Sequence, residues 1–263
     1  MADTWLPGLP AIGGAVGDAF ADLLLYADPS AANLNDRDLK ISPHELFVLR
    51  TRKYSTFFDD LYTVGLVSQQ NSGTGSEVNQ SNQGTASHPG VLECSTGTDT
   101  TGAAGVFSFN AYAFVPGGGR IKFLSYFKTP SALSNGTNRY ALFTGLTRAS
   151  LVYKPSEWLG IYYRDDVSAN WQAICRNGGT ETTQNIAVAV ATDSWYRFEI
   201  DIDAVAANVT CSVNGTSASA ISTNIPTAES FFCVGQVIKA LGTTARSIYP
   251  DGYGWSQNLA TAR

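Results

Sequence analysis

From Trp158 to Gly215, apolar and polar positions alternate through four consecutive runs, WLGIYYRDD, NWQAICRNGGTETTQNIAVAV, DSWYRFEIDIDA and NVTCSVNG, with only turn-length polar breaks between them. Alternation with a period of two predicts strands, and short turns between strands predict an antiparallel meander. Comparable runs recur at 91–94, 105–114, 120–127, 139–146, 158–164, 170–176, 184–190, 195–202, 209–213, 230–239 and 246–249. No helix-period segment separates them, so the pattern predicts an all-β chain of two stacked antiparallel sheets. Residues 68–90, rich in Asn, Gln, Ser and Gly, read as the longest polar loop.

Residues 1–55 differ in kind from residues 56–263. They begin rich in Pro and Gly, pass through an apolar run at 20–27, and reach a helix start at Ser42-Pro-His-Glu45. Ser42 can cap, Pro43 suits the first helical position and Glu45 completes a capping box, which predicts a short helix from Pro43 towards Arg50. About 50 residues without metal or disulfide bury too little apolar surface to fold alone, so this segment must dock on something. Left bare, Leu23, Leu24, Leu25 and Tyr26 would form an aggregation-prone edge. With Leu39, Ile41, Leu46 and Phe47 they are the predicted attachment interface.

Composition narrows the partners. A net charge of −5 and the lack of any Lys/Arg cluster argue against nucleic acid, whose phosphates are held mainly by basic charge. The start MADTWLPGLPAIGG has no basic and apolar signal pattern, and the run at 23–27 is too short to cross a bilayer, so no membrane partner is expected. Cys94, Cys175, Cys211 and Cys233 lie far apart with no Cys-x-x-Cys pair and read as reduced thiols, Cys175 and Cys211 as small buried hydrophobes within strand-like runs, while a disulfide would need an oxidising compartment.

Candidate chemistry is sparse. Glu199, Asp201 and Asp203 alternate along one predicted strand and share a face with Arg197, while Tyr196, Phe198, Ile200 and Ile202 face the core. Three aligned carboxylates are similar to the Glu-x-Asp-x-Glu signature of laminarinase-type glycoside hydrolases. Here the last position is Asp, one methylene shorter, and the preferred reading is a solvated strand face. Asp165-Asp166 fits a turn better than a calcium site. His44 and His88 have no partner at ligand spacing, and Ser72-Gly-Thr-Gly-Ser76 lacks the Lys of a phosphate loop. No catalytic residue, cofactor site or metal site is therefore assigned. Tyr162 and Tyr163 are adjacent and must face opposite ways, so one of them is expected on the surface. An exposed ring there is a candidate glycan contact, although isolated surface aromatics are common.

The ordered set His88-Pro-Gly-Val-Leu-Glu-Cys-Ser-Thr-Gly97, Trp158-Leu-Gly-Ile-Tyr162, Asn170-Trp171, Trp195-Tyr-Arg-Phe-Glu-Ile-Asp-Ile202, Val213-Asn-Gly215 and Lys239-Ala-Leu-Gly-Thr-Thr-Ala-Arg246 resembles the concanavalin A-like jelly-roll domain of tailed-bacteriophage structural proteins. The resemblance spans roughly residues 57–258. The segment from Ala21 to Ser42 is similar to the attachment segments of phage appendages, which are typically trimeric. The resemblance implies a non-enzymatic virion protein, a head decoration or short fibre, assembled in the reducing cytoplasm of a host bacterium. Its implied partners are capsid or tail proteins and two further copies of itself, with a host-surface glycan as the alternative; it carries over no catalytic residue.

Overall fold

The computed structural model describes residues 54–59, 61, 67–85, 88, 90–108 and 114–259. The predicted attachment residues Leu23 to Phe47 and the predicted helix from Pro43 lie outside them. Within them the chain forms fifteen strands and two wholly antiparallel sheets. The first sheet runs in the order β13 (Thr216–Ser217), β12 (Val209–Val213), β11 (Trp195–Ile202), β6 (Gly119–Lys128), β15 (Ser247–Leu259), β4 (Leu92–Ser95) and β3 (Glu77–Gln80), with β1 (Tyr54–Asp59) also on β15. The second runs β10 (Thr180–Ala189), β9 (Asn170–Asn177), β8 (Trp158–Tyr163), β7 (Tyr140–Thr147), β14 (Phe231–Lys239), β5 (Ala103–Ser108) and β2 (Val67–Ser72).

Alternation explains the main core. On β11 the residues Tyr196, Phe198, Ile200 and Ile202 are buried, while Arg197 between them is exposed. Phe198 stacks on Phe127 of β6 at 4.4 Å and meets Trp171 of β9 edge-on at 4.8 Å, which ties one sheet to the other. The second sheet departs from simple alternation. All residues of β7 and β8 are buried, so that sheet is covered on both faces. Leu142, Leu146, Leu159 and Ile161 enter the main core. Phe107, Phe143, Trp158, Tyr162, Ile174 and Cys233 form a second apolar cluster on the outer face, with Leu151 and Tyr153 packed on it.

Three expectations need correction. The polar stretch 68–90 is not one loop, because β2 and β3 lie within it as edge strands whose mostly polar side chains face water. The meander at 158–215 is divided between sheets: β8, β9 and β10 pair in the second, and the chain then crosses to place β11 and β12 in the first. The last strand runs on from Ser247 to Leu259 instead of stopping at Tyr249, since a register shift between Pro250 and Gly252 absorbs the proline.

Candidate functional site

The outer apolar cluster cannot face water, and the β7–β8 connection covers it. Residues 148–157 form this strap. Leu151 donates its backbone N–H to Gln236 Oε1 at 3.1 Å, and Tyr153 meets Trp158 edge-on at 5.8 Å. The Ser156 carbonyl accepts from Gly179 N at 3.2 Å, which fastens the strap to the β9–β10 turn. Two of its non-glycine residues are left-handed, Leu151 at φ 55 and Lys154 at φ 50. Each such residue costs on the order of 1 kcal/mol or more, and Lys154 also precedes a proline, which disfavours helical backbone further.

The strain holds Lys154 above aromatic rings. Its Nζ lies 5.3 Å from the Tyr162 ring centre and 5.8 Å from that of Tyr153. The same ammonium is 2.6 Å from Glu181 Oε1, and Arg176 Nη1 lies 2.8 Å from the other oxygen. The hairpin Asn177-Gly-Gly-Thr180 sets this geometry by placing Arg176 opposite Glu181 in register. Partial burial alone would raise the Glu181 carboxyl, but bonds and charge from Lys154 and Arg176 hold it below the usual range. Beside this group, the Arg164 guanidinium lies 4.9 Å from the Tyr153 ring centre and its Nε is 2.7 Å from Asp166 Oδ1. Arg139 bridges Asp165 at 3.3 Å and Asp166 at 3.4 Å. The result is a strip of four cations and three carboxylates along aromatic rings, locally positive on a chain of net charge −5.

The predicted site residues are redistributed. Tyr162 and Tyr163 do face opposite ways, but neither is on the surface: they are 1% and 3% exposed. The strap covers Tyr162, and Tyr163 packs edge-on to Trp171 at 6.0 Å in the main core. Burial, with Tyr153 and Glu181 nearby, raises the Tyr162 hydroxyl well above its ordinary range. Glu199 and Asp201 stand on the outer face of the first sheet, where Arg197 pairs with Glu199 and Arg120 binds Asp201 at 2.6 and 2.9 Å. Asp203 has left the strand. It accepts from Ala207 N at 2.7 Å, Val205 N at 3.2 Å and Asn208 Nδ2 at 3.2 Å, so it organises the turn after β11. Asp165 and Asp166 are the anions of an arginine pairing, and among the described residues no three His, Cys, Asp or Glu groups gather to hold a metal. His88 lies by the first sheet, stacked on Trp195 at 3.8 Å with Nδ1 2.6 Å from Asp251.

Sequence reasoning missed Lys154, Arg176, Glu181 and Arg164. The Gly-Gly turn could have paired Arg176 with Glu181. Nothing local marks Lys154, whose place depends on the strap lying back across the sheet.

The fold and this strip define a jelly-roll-like antiparallel β-sandwich bearing a cation–aromatic surface. The chain belongs to the SO2946-like, C-terminal domain family, which matches residues 87–251. The protein of unknown function SO2946 from Shewanella oneidensis MR-1 is similar in fold, at 18% identity and a TM-score of 0.59, over 85% of this chain and 97% of that one. An endo-beta-1,4-glucuronan lyase from the fungus Trichoderma reesei aligns at 13% identity and a TM-score of 0.49, over 78% of this chain and 97% of that one. The binding domain of botulinum neurotoxin DC, solved with rat synaptotagmin II, aligns at 10% identity and a TM-score of 0.46, over 74% and 44%. No curated protein matches the chain.

Proposed function

We propose that the protein is a non-enzymatic binding and structural module of a phage particle, with residues 1–55 as the anchor and the sandwich at 56–263 displayed. The observation that carries the binding role is the strip itself. Its acids and bases are joined to one another, as Lys154–Glu181–Arg176 and Arg164–Asp166–Arg139–Asp165, which favours contact over proton transfer. The hydrolase alternative is weaker, because Asp203 is held by turn N–H groups and not aimed along β11 with Glu199. The virion setting rests on the phage-like motif set, and four buried free thiols fit assembly in a reducing host cytoplasm. Head decoration or short fibre, homotrimerisation and docking to capsid or tail proteins belong to the same proposal.

Imaging particles with and without the protein tests it, with added density on head or tail as the expected result. A chain lacking residues 1–50 is expected to stay off the particle. Its incorporation at the level of the full chain would overturn the anchoring role.

A further inference from the structure

We infer that the strip formed by Tyr153, Lys154, Arg164 and Arg176 is a binding site for an acidic glycan, with a sugar carboxylate taking the position of Glu181 between Lys154 and Arg176. The inference rests on reading the sandwich as a displayed binding module. Three observations carry it. Lys154 and Arg176 converge on opposite oxygens of one carboxylate, at 2.6 and 2.8 Å, so the pair already presents the donor geometry that a carboxylate ligand needs. Glu181 is an exposed residue on the outer strand β10 and can turn away into water without opening the core. Lys154 is held left-handed before a proline, in a strap whose path carries its ammonium to 5.3 Å from the Tyr162 ring centre and 5.8 Å from that of Tyr153, beside both Glu181 and Arg176.

The remaining chemistry suits a sugar. Tyr153 supplies a partly exposed aromatic ring beside Arg164. On β9 and β10 next to the strip, Asn170 Nδ2 donates to the exposed Asn185 Oδ1 at 3.3 Å, so amides that can exchange bonds with hydroxyl groups line its edge, above the buried Gln172, whose Nε2 donates to the same oxygen at 2.9 Å. Local positive charge on an acidic chain favours an anionic over a neutral chain of sugars.

Calorimetric titration of the full-length protein with oligogalacturonate, sialyllactose and a neutral maltooligosaccharide tests the inference. Binding of at least one acidic glycan and not of the neutral one is expected, and which acidic glycan binds identifies the sugar class. Lys154→Gly removes the ammonium while giving the left-handed position the residue that adopts it most freely, so it is expected to fold normally and bind about tenfold more weakly or worse. Glu181→Gln frees both cations from their internal partner and is expected to bind about threefold more tightly. Opposite signs for the two variants are the signature, because a purely structural ion cluster would lose from both. Equal affinity for acidic and neutral glycans, no binding of either acidic probe, or weakening by both substitutions overturns the inference. Failed binding with normal particle incorporation removes only this site, whereas binding without incorporation removes the virion reading and leaves the site.

Discussion

Gly160 lies directly opposite Gly145 where β8 pairs with β7, beneath the strap. A β-carbon at Gly160 would press on the Thr144 carbonyl oxygen and lie 2.8 Å from Phe143 Cε2 and 2.9 Å from Gly145 Cα. Two of these neighbours are backbone and cannot rotate away, so Gly160→Ala must spread the strands or tilt the Phe143 ring. Overpacking of this kind costs about 1–3 kcal/mol. Weakening one or two ladder bonds adds about 0.5–1.5 kcal/mol each, for a total of about 1.5–6 kcal/mol. For a chain of this size each kcal/mol lowers Tm by about 2–4 °C, so a fall of about 3–24 °C is expected. Phe143 lies 4.3 Å from Trp158, which makes tryptophan fluorescence during thermal unfolding a direct assay. Gly136→Ala is the control, since a β-carbon there meets nothing within 4 Å, and its change should stay within about 0.5 kcal/mol. If Gly160→Ala melts with Gly136→Ala, the close approach of β7 and β8 is wrong.

Two further outcomes test the electrostatics and the buried thiols. The folded Glu181 carboxyl is held below its ordinary value of 4.5, so its contribution is present above that pH and lost as pH falls through the lower folded value. The Tm difference between wild type and Glu181→Gln should therefore be constant near neutrality and close below about pH 4.5; a gap that persists at pH 2 would refute the ion pairing. Burial pushes the Cys175 thiol up to about 12 and raises Cys94, Cys211 and Cys233 as well. All four should resist iodoacetamide at pH 8 in the folded protein and react on denaturation. Mass spectrometry showing rapid native alkylation at any of them would contradict the burial of that strand.

Alternation made the first sheet legible. Tyr196, Phe198, Ile200 and Ile202 face inward as read, and β11 and β12 begin and end where their patterns do. It could not show which sheet each strand joins, because a hairpin and a crossover can follow the same polar break. Nor could it expose β2 and β3, whose polar residues gain their ladder from β5 and β4 and not from a buried face. Tyr162 and Tyr163 show the limit most clearly. Period two correctly sends them to opposite faces, but whether a face is wet depends on what lies over it, and residues 148–157 have no periodic signal of their own.

Covering is also what separates a structural loop from a site. An outer face carrying Phe107, Phe143, Trp158, Tyr162, Ile174 and Cys233 would be a large exposed apolar patch, so some cover is required by the sheet alone. Leu151 and Tyr153 meet that requirement. Lys154 also closes over the Tyr162 and Tyr153 rings, its side chain only 18% exposed, but cover needs no charge there, and its φ of 50 before Pro155 is a conformation in which glycine would be more stable by on the order of 1 kcal/mol. A strap selected only to shield the cluster would therefore need no ammonium at 154. The position of that one ammonium, fixed against Arg176 and Glu181 at the end of a strained turn, is the part of the strap that shielding cannot explain.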